Sequence, residues 1–255
     1  VRKRLHDARR VLKGHMLDMV RDVLRDDAPS RDERFEKHVL SSALPLQVFV
    51  VTPAEGPGAE RGLGSTTAGR DVDVPKEAVW VVEPRLDVAG DDENFEALLA
   101  EMKERRIPGL RTGGRLSDRH LPRLAELADH LVYLDLSGGD TGITDEGLRH
   151  LAALPRLRYL NVNLNGPCSS PALVPADVTD AGLQFLSSLT DMEELRIDNL
   201  FRVGDAPMRH LRAMPRLRLV SMAGTMVTDA GLANLDGLEH LESLTTGPLT
   251  TDDGL

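Results

Sequence analysis

Aromatic side chains are scarce in this chain: one Trp, two Tyr and five Phe, or 3% of 255 residues. A single thick core is normally anchored by such rings. The interior must instead be assembled from Leu, Val, Ile, Met and Ala, which suits thin repeated layers. Cysteine is scarcer still, and Cys168, standing alone, excludes any internal disulfide. No apolar run approaches the ~18 residues of a membrane-spanning helix, so no integral membrane segment is expected. Positive charge is outweighed, with 31 Lys and Arg against 41 Asp and Glu and a net charge of −10. A general nucleic-acid binder needs a basic face to neutralise phosphates, so that class is excluded.

Catalytic signatures are missing too. No HExxH, paired CxxC or nucleophile-elbow pattern occurs. GSTTAGRD at Gly64–Asp71 carries Arg70 and Asp71 where a phosphate loop needs Lys and then Ser or Thr. No catalytic residue, cofactor or metal is therefore expected. The basic opening VRKRLHDARR is not followed by an unbroken apolar region and a small-residue cleavage site. Cytoplasmic location is the expectation.

What the chain does have is repetition. VTDAGL occurs at Val178–Leu183 and again at Val227–Leu232, with relatives LSDRHL from Leu116, ITDEGL from Ile143, VGDAPM from Val203 and TTDDGL from Thr250. Their starts are spaced 27, 35, 25, 24 and 23 residues apart. Each is preceded by a segment apolar at positions one, four and mostly six, from IPGLRT at Ile107 to LESLTT at Leu241. That alternation predicts a short strand with one buried face. Behind each motif, apolar residues fall three apart, as in Leu148, Leu151 and Leu154, which predicts one stripe of a short helix. The Thr-Asp pair supplies a helix start. Pro155 and Pro215 stop two of the helices.

Residues 107–255 therefore form about six repeats, the last cut short at Leu255. A repeat buries its apolar face only against neighbours. The strand AVWVVEP and the helix DDENFEALLAEMKERR make 78–106 a capping repeat, with Phe95, Leu98, Leu99 and Met102 turned inward. The far edge is uncapped, so further chain or a partner is expected on it. Residues 53–77 are Gly- and Pro-rich and read as a mobile linker. Residues 1–52 read as a helical segment followed by the strand LQVFVV. Leu5, Leu12 and Met19 give its helix a heptad-like stripe, so it or the uncapped edge offers a route to self-association.

The repeats resemble the leucine-rich repeat family, specifically its LxLxGTxVTDAGL variety abundant in bacterial proteins, which has relatives among ribonuclease-inhibitor-like repeats. LRLVSMAGTMVTDAGLANLDGL from Leu217 matches that pattern almost throughout. The resemblance implies an α/β leucine-rich repeat solenoid, with a curved parallel sheet on the concave side and short helices on the convex side. It departs from the family in its asparagine ladder: Asn165 keeps that position, but Leu200 and Thr225 replace it elsewhere. Irregular turns are expected there.

Between the buried leucines, side chains face the concave side. One row across the strands runs Gly109, Tyr133, Tyr159, Glu194, Leu219, Ser243, and the next Arg111, Asp135, Asn161, Arg196, Ser221, Thr245. A third holds Ser137, Asn163 and Asp198. Both tyrosines thus fall side by side, and exposed tyrosine is a residue type of binding hot spots. Candidate partner-binding residues are Tyr133, Asp135, Tyr159, Asn161, Asn163, Glu194, Arg196 and Asp198. Cys168 joins them, in the insertion that stretches the third repeat. The family resemblance implies non-enzymatic recognition of another protein, or a scaffold. The alternative is a sensor, docking or substrate subunit of an enzyme system such as a protease or signalling complex, with residues 1–77 or a missing extension supplying the regulated function.

Overall fold

The computed structural model describes residues 35–39, 46–51, 60–65, 71–75, 78–84, 92–114, 116–138, 142–163 and 178–251. The N-terminal heptad stripe and the Cys168 insertion lie outside them.

The strand segments of the six repeats form β6 (Gly109–Arg111), β7 (Tyr133–Asp135), β8 (Tyr159–Asn161), β9 (Glu194–Arg196), β10 (Leu219–Ser221) and β11 (Ser243–Thr245). They pair in parallel and in sequence order. The cap adds β5 (Val79–Pro84), parallel to β6, and then the antiparallel β2 (Leu46–Val51) and β3 (Glu60–Ser65). One sheet of nine strands results, in the order β11-β10-β9-β8-β7-β6-β5-β2-β3. Helix α1 (Asp92–Glu104) packs on it through the buried Phe95, Leu98, Leu99 and Met102. A separate antiparallel ladder joins β1 (Phe35–Val39) to β4 (Asp71–Pro75).

Residues 53–77 are thus not simply linker, because β3 and β4 both fall within them. An edge strand is held by its backbone hydrogen bonds and needs no apolar pattern, so Glu60–Ser65 with its two glycines gives little sequence signal. Asp71–Val72–Asp73–Val74 does alternate with the strand period, a signal that the surrounding glycines obscured.

On the helical side, the second, third and fifth repeats open with a single α turn, α2 (Asp145–Leu148), α3 (Asp180–Leu183) or α4 (Asp229–Leu232), and continue as a 3-10 turn, while the first is 3-10 alone over Leu121–Leu127. The reason is the apolar spacing of three. Residues i, i+3 and i+6 eclipse in a 3-10 helix, so Leu183, Leu186 and Leu189 all point into the core. Repeat after repeat, these side chains meet the strand leucines in one continuous cluster from Leu46 to Leu238.

VTDAGL recurs because three of its positions interlock between repeats. Asp145 accepts from both the backbone N–H and the hydroxyl of Thr179 in the next repeat, each at 2.7 Å. Asp118 does the same for Thr144, Asp205 for Thr228 and Asp229 for Thr251. Each threonine hydroxyl in turn caps its own helix, accepting from the N–H two residues on at 3.2–3.3 Å in α2, α3 and α4. The glycine is the space for the carboxylate below: a Cβ on Gly182 would sit 2.3 Å from Asp145 Oδ1, and one on Gly231 2.3 Å from Asp205 Oδ1. These contacts make an aspartate ladder on the helical side. The Thr251 backbone N–H, then its hydroxyl, hold the Asp229 carboxyl below the usual range.

The fourth repeat breaks the ladder halfway. Gly204 stands where threonine belongs, so Asp180 receives only a backbone N–H, at 2.7 Å. Pro207 occupies the glycine position and lacks the N–H that Gly182 donates to Thr179 O, so this repeat is 3-10 throughout, over Ala206–Ala213. A Cβ on Gly204 would have 3.9 Å to Asp180 Oδ2, an ordinary contact. Gly204→Thr is expected to stabilise the protein by about 1 kcal/mol, through the added hydroxyl and a stiffer unfolded chain. Denaturant midpoints check it, and Gly204→Thr must exceed Gly204→Ala for the hydroxyl to matter.

In the first repeat, His120 fills the glycine position. Its Nδ1 accepts from the Ser117 backbone N–H at 3.0 Å, as an aspartate oxygen does from the threonine N–H in later repeats. The ring is buried and stands edge-on to Phe95, with centroids 4.7 Å apart. Burial, and then the positive charge of Arg119, lower its pKa below 6.5, against smaller raising effects from Ser117 and Asp92. As pH falls through about 6.5 the unfolded chain takes up this proton before the folded one, so stability declines toward the folded value. Thermal melts at about pH 7.5 and pH 5.5 should therefore show a larger loss for the wild type than for His120→Asn, which can accept without titrating. Equal losses would mean that His120 does not stay neutral in the fold.

Candidate protein-binding face

The face of the sheet opposite the helices carries the rows that the repeat spacing predicts. Tyr133 pairs with Tyr159, Tyr159 with Glu194 and Glu194 with Leu219, while Asp135, Asn161 and Arg196 align beside them. A hollow of about 150 Å³ opens there. Tyr133, Asp135, Tyr159, Asn161, Glu194 and Arg196 all line it, joined by Val51 from β2.

The candidates are not equally free to bind. Tyr159 is buried, only 3% exposed, contrary to the expectation of two exposed tyrosines. It packs with Val51 of β2 and Val79 and Val81 of β5, and its ring centroid lies 5.9 Å from that of Tyr133. Its hydroxyl donates to Glu193 Oε2 at 3.1 Å, and burial raises its pKa. Glu193 also accepts from Arg158 Nε at 2.7 Å, and the Arg158 guanidinium lies 5.6 Å from the Tyr159 ring centroid. Tyr159 is therefore the floor of the hollow, and Tyr133, half-buried, is its accessible ring.

Asp135 is buried as well, at 5%. It accepts from the Ser137 backbone N–H at 2.8 Å and faces Arg111 Nε at 3.4 Å, while the Arg111 guanidinium sits 4.7 Å from the Phe49 ring centroid. Asn161 accepts from the Asn163 N–H at 3.0 Å, the same strand-ending turn one repeat on. Asn163 accepts from Asn199 Nδ2 at 3.3 Å. Asp198 accepts from Ser221 Oγ at 2.6 Å and the Ala223 N–H at 2.8 Å. These four side chains hold the turns together. Glu194 and Arg196 remain directed at the hollow, and Cys168 is outside the described residues.

Sequence reasoning missed Val51, Arg158 and Glu193. Val51 lies outside the repeats and gives no signal. The charged pair did give one: position two of the strand segment reads Arg158, Glu193, Arg218, Glu242, and Arg218 Nη2 pairs with Glu242 at 2.8 Å.

Parallel strands in sequence order, alternating with short helical turns, define an α/β solenoid of the leucine-rich repeat type. No model of a known protein family matches the chain, and neither does any curated protein. Among solved structures, the internalin inlF of Listeria monocytogenes is similar at 21% identity and a TM-score of 0.39, covering 55% of this chain and 33% of that one. Internalin inlC2 of the same organism is similar at 21% identity and a TM-score of 0.36, covering 59% of this chain and 64% of that one. The chain thus spans less than two thirds of the length of either. Among the described residues, no helix is long and apolar enough to cross a membrane.

Proposed function

We propose that this protein is a non-enzymatic recognition module that seats a partner protein on the open face of its sheet, around the hollow between β7, β8 and β9. The observation that carries this reading is the preformed hollow itself. Its aromatic floor is fixed by Glu193 and the cap valines, and its polar wall is Glu194 and Arg196. A site whose walls are already ordered loses little conformational freedom on binding, which is how a rigid repeat gains affinity. Mixed charge and an aromatic ring suit a polypeptide better than a phosphate backbone.

The experiment is affinity capture from the native host followed by binding measurements with the identified partner. Tyr133→Ala is expected to weaken that complex by tenfold or more, on the order of 1.4 kcal/mol, as truncation of an aromatic hot spot does. The melting curve of the variant should stay near that of the wild type. A partner bound with equal affinity by both would place recognition elsewhere on the molecule.

A further inference from the structure

Within the hollow, Glu194 differs from its neighbours in one respect. Asp135, Asn161 and Glu193 all accept hydrogen bonds, whereas Glu194 receives none from the described residues. Its side chain is 20% exposed, and the nearest cation, Arg196 Nη2, lies 3.8 Å away, beyond hydrogen-bond distance. Burial pushes the Glu194 carboxyl up, against the pull of Arg196 and Arg218 and with a further push from Glu193. A carboxylate taken from water without donors is costly, and a ligand supplying N–H groups recovers that cost. Arg196, at 34% exposure, keeps more of its water and has less to gain from an anion.

We propose that the hollow receives a basic side chain of the partner, an arginine or lysine, whose N–H groups complete Glu194 and whose stem lies along Tyr133. Tyr133 lines the same hollow as Glu194, and the chain's net charge of −10 draws basic partners toward it. This inference rests on the recognition reading and names the chemistry of what is recognised.

The test uses the full chain and two small probes, N-acetyl-arginine methylamide and N-acetyl-glutamate methylamide, followed through the tyrosine ring signals and the Glu194 carboxyl carbon by NMR. The arginine probe is expected to shift both sets of signals with about millimolar affinity, and to lower the titration midpoint of Glu194. Glu194→Gln should reduce that affinity about tenfold, while Arg196→Gln should leave it equal or tighter. Silence with the arginine probe overturns the proposal. So does a response to the glutamate probe in its place, or an arginine response unchanged by Glu194→Gln, which would reflect only attraction to the net charge. The outcome is separable from the capture experiment. A partner lost with Tyr133→Ala while the arginine probe stays silent would keep the face and discard the ligand.

Discussion

Gly109→Val is expected to separate the cap from the repeats. A Cβ on Gly109 would lie 2.7 Å from Val81 Cγ2, 2.8 Å from the Trp80 carbonyl oxygen and 3.1 Å from Val81 Cα. Two of these atoms are backbone and cannot rotate away. The seam they occupy is narrow, since β5 and β6 share only the pairs Val81–Gly109 and Val82–Leu110. Valine there forces β6 off β5 and opens the core around Trp80, Val82 and Leu110. The expected cost is more than about 3 kcal/mol, at the upper end of overpacking effects. Hydrogen exchange locates it: amides of Val79–Val82 should lose protection while those of Leu219–Ser221 keep theirs. Unchanged protection in β5 would mean that the cap is held by contacts other than this seam.

Asp145→Ala is the second large effect, and it acts in the middle of the solenoid. The substitution leaves the Thr179 N–H and hydroxyl without their acceptor. Two charge-assisted bonds lost from a partly buried position cost about 3 kcal/mol together. Asp145→Asn keeps one carbonyl oxygen for the N–H but turns an amide toward the hydroxyl, so its loss should fall between. A double-mutant cycle with Thr179→Val isolates the hydroxyl's share, with a coupling of about 1 kcal/mol expected. Repeat stability is a sum of nearest-neighbour terms. Denaturation of Asp145→Ala should therefore broaden or split as the two sides of the break lose their coupling. A single sharp transition at the wild-type midpoint would show that the ladder is ornamental.

How far the sequence reached is clear from these same residues. The strand rows were legible because a parallel sheet built from repeats puts equal motif positions side by side, and so Tyr133, Tyr159 and Glu194 fell where the spacing placed them. The 3-10 turns were visible as an apolar spacing of three, read only as a helix. Thr, Asp and Gly were legible as a helix start. That the aspartate serves the next repeat's threonine, and that the glycine makes room for it, needs the stacking distance between repeats, which no single motif contains. Burial of Tyr159 was hidden for a like reason: its covering neighbours Val51, Val79 and Val81 lie in β2 and β5, ahead of the repeats. The edge strand β3 was hidden because backbone pairing leaves no side-chain pattern.

The aspartate ladder also gives the stack a direction of growth. A unit of about 24 residues duplicated after His120 would find a carboxylate waiting below its threonine and, except just below Gly204, a threonine above its own aspartate. The same unit inserted ahead of Ser117 would present its aspartate to an imidazole already occupying the place. Replacing His120 by glycine would be required before the molecule accepts a repeat at that end. Copying is thus permitted in one direction and blocked in the other, and a single side chain marks where the counting starts.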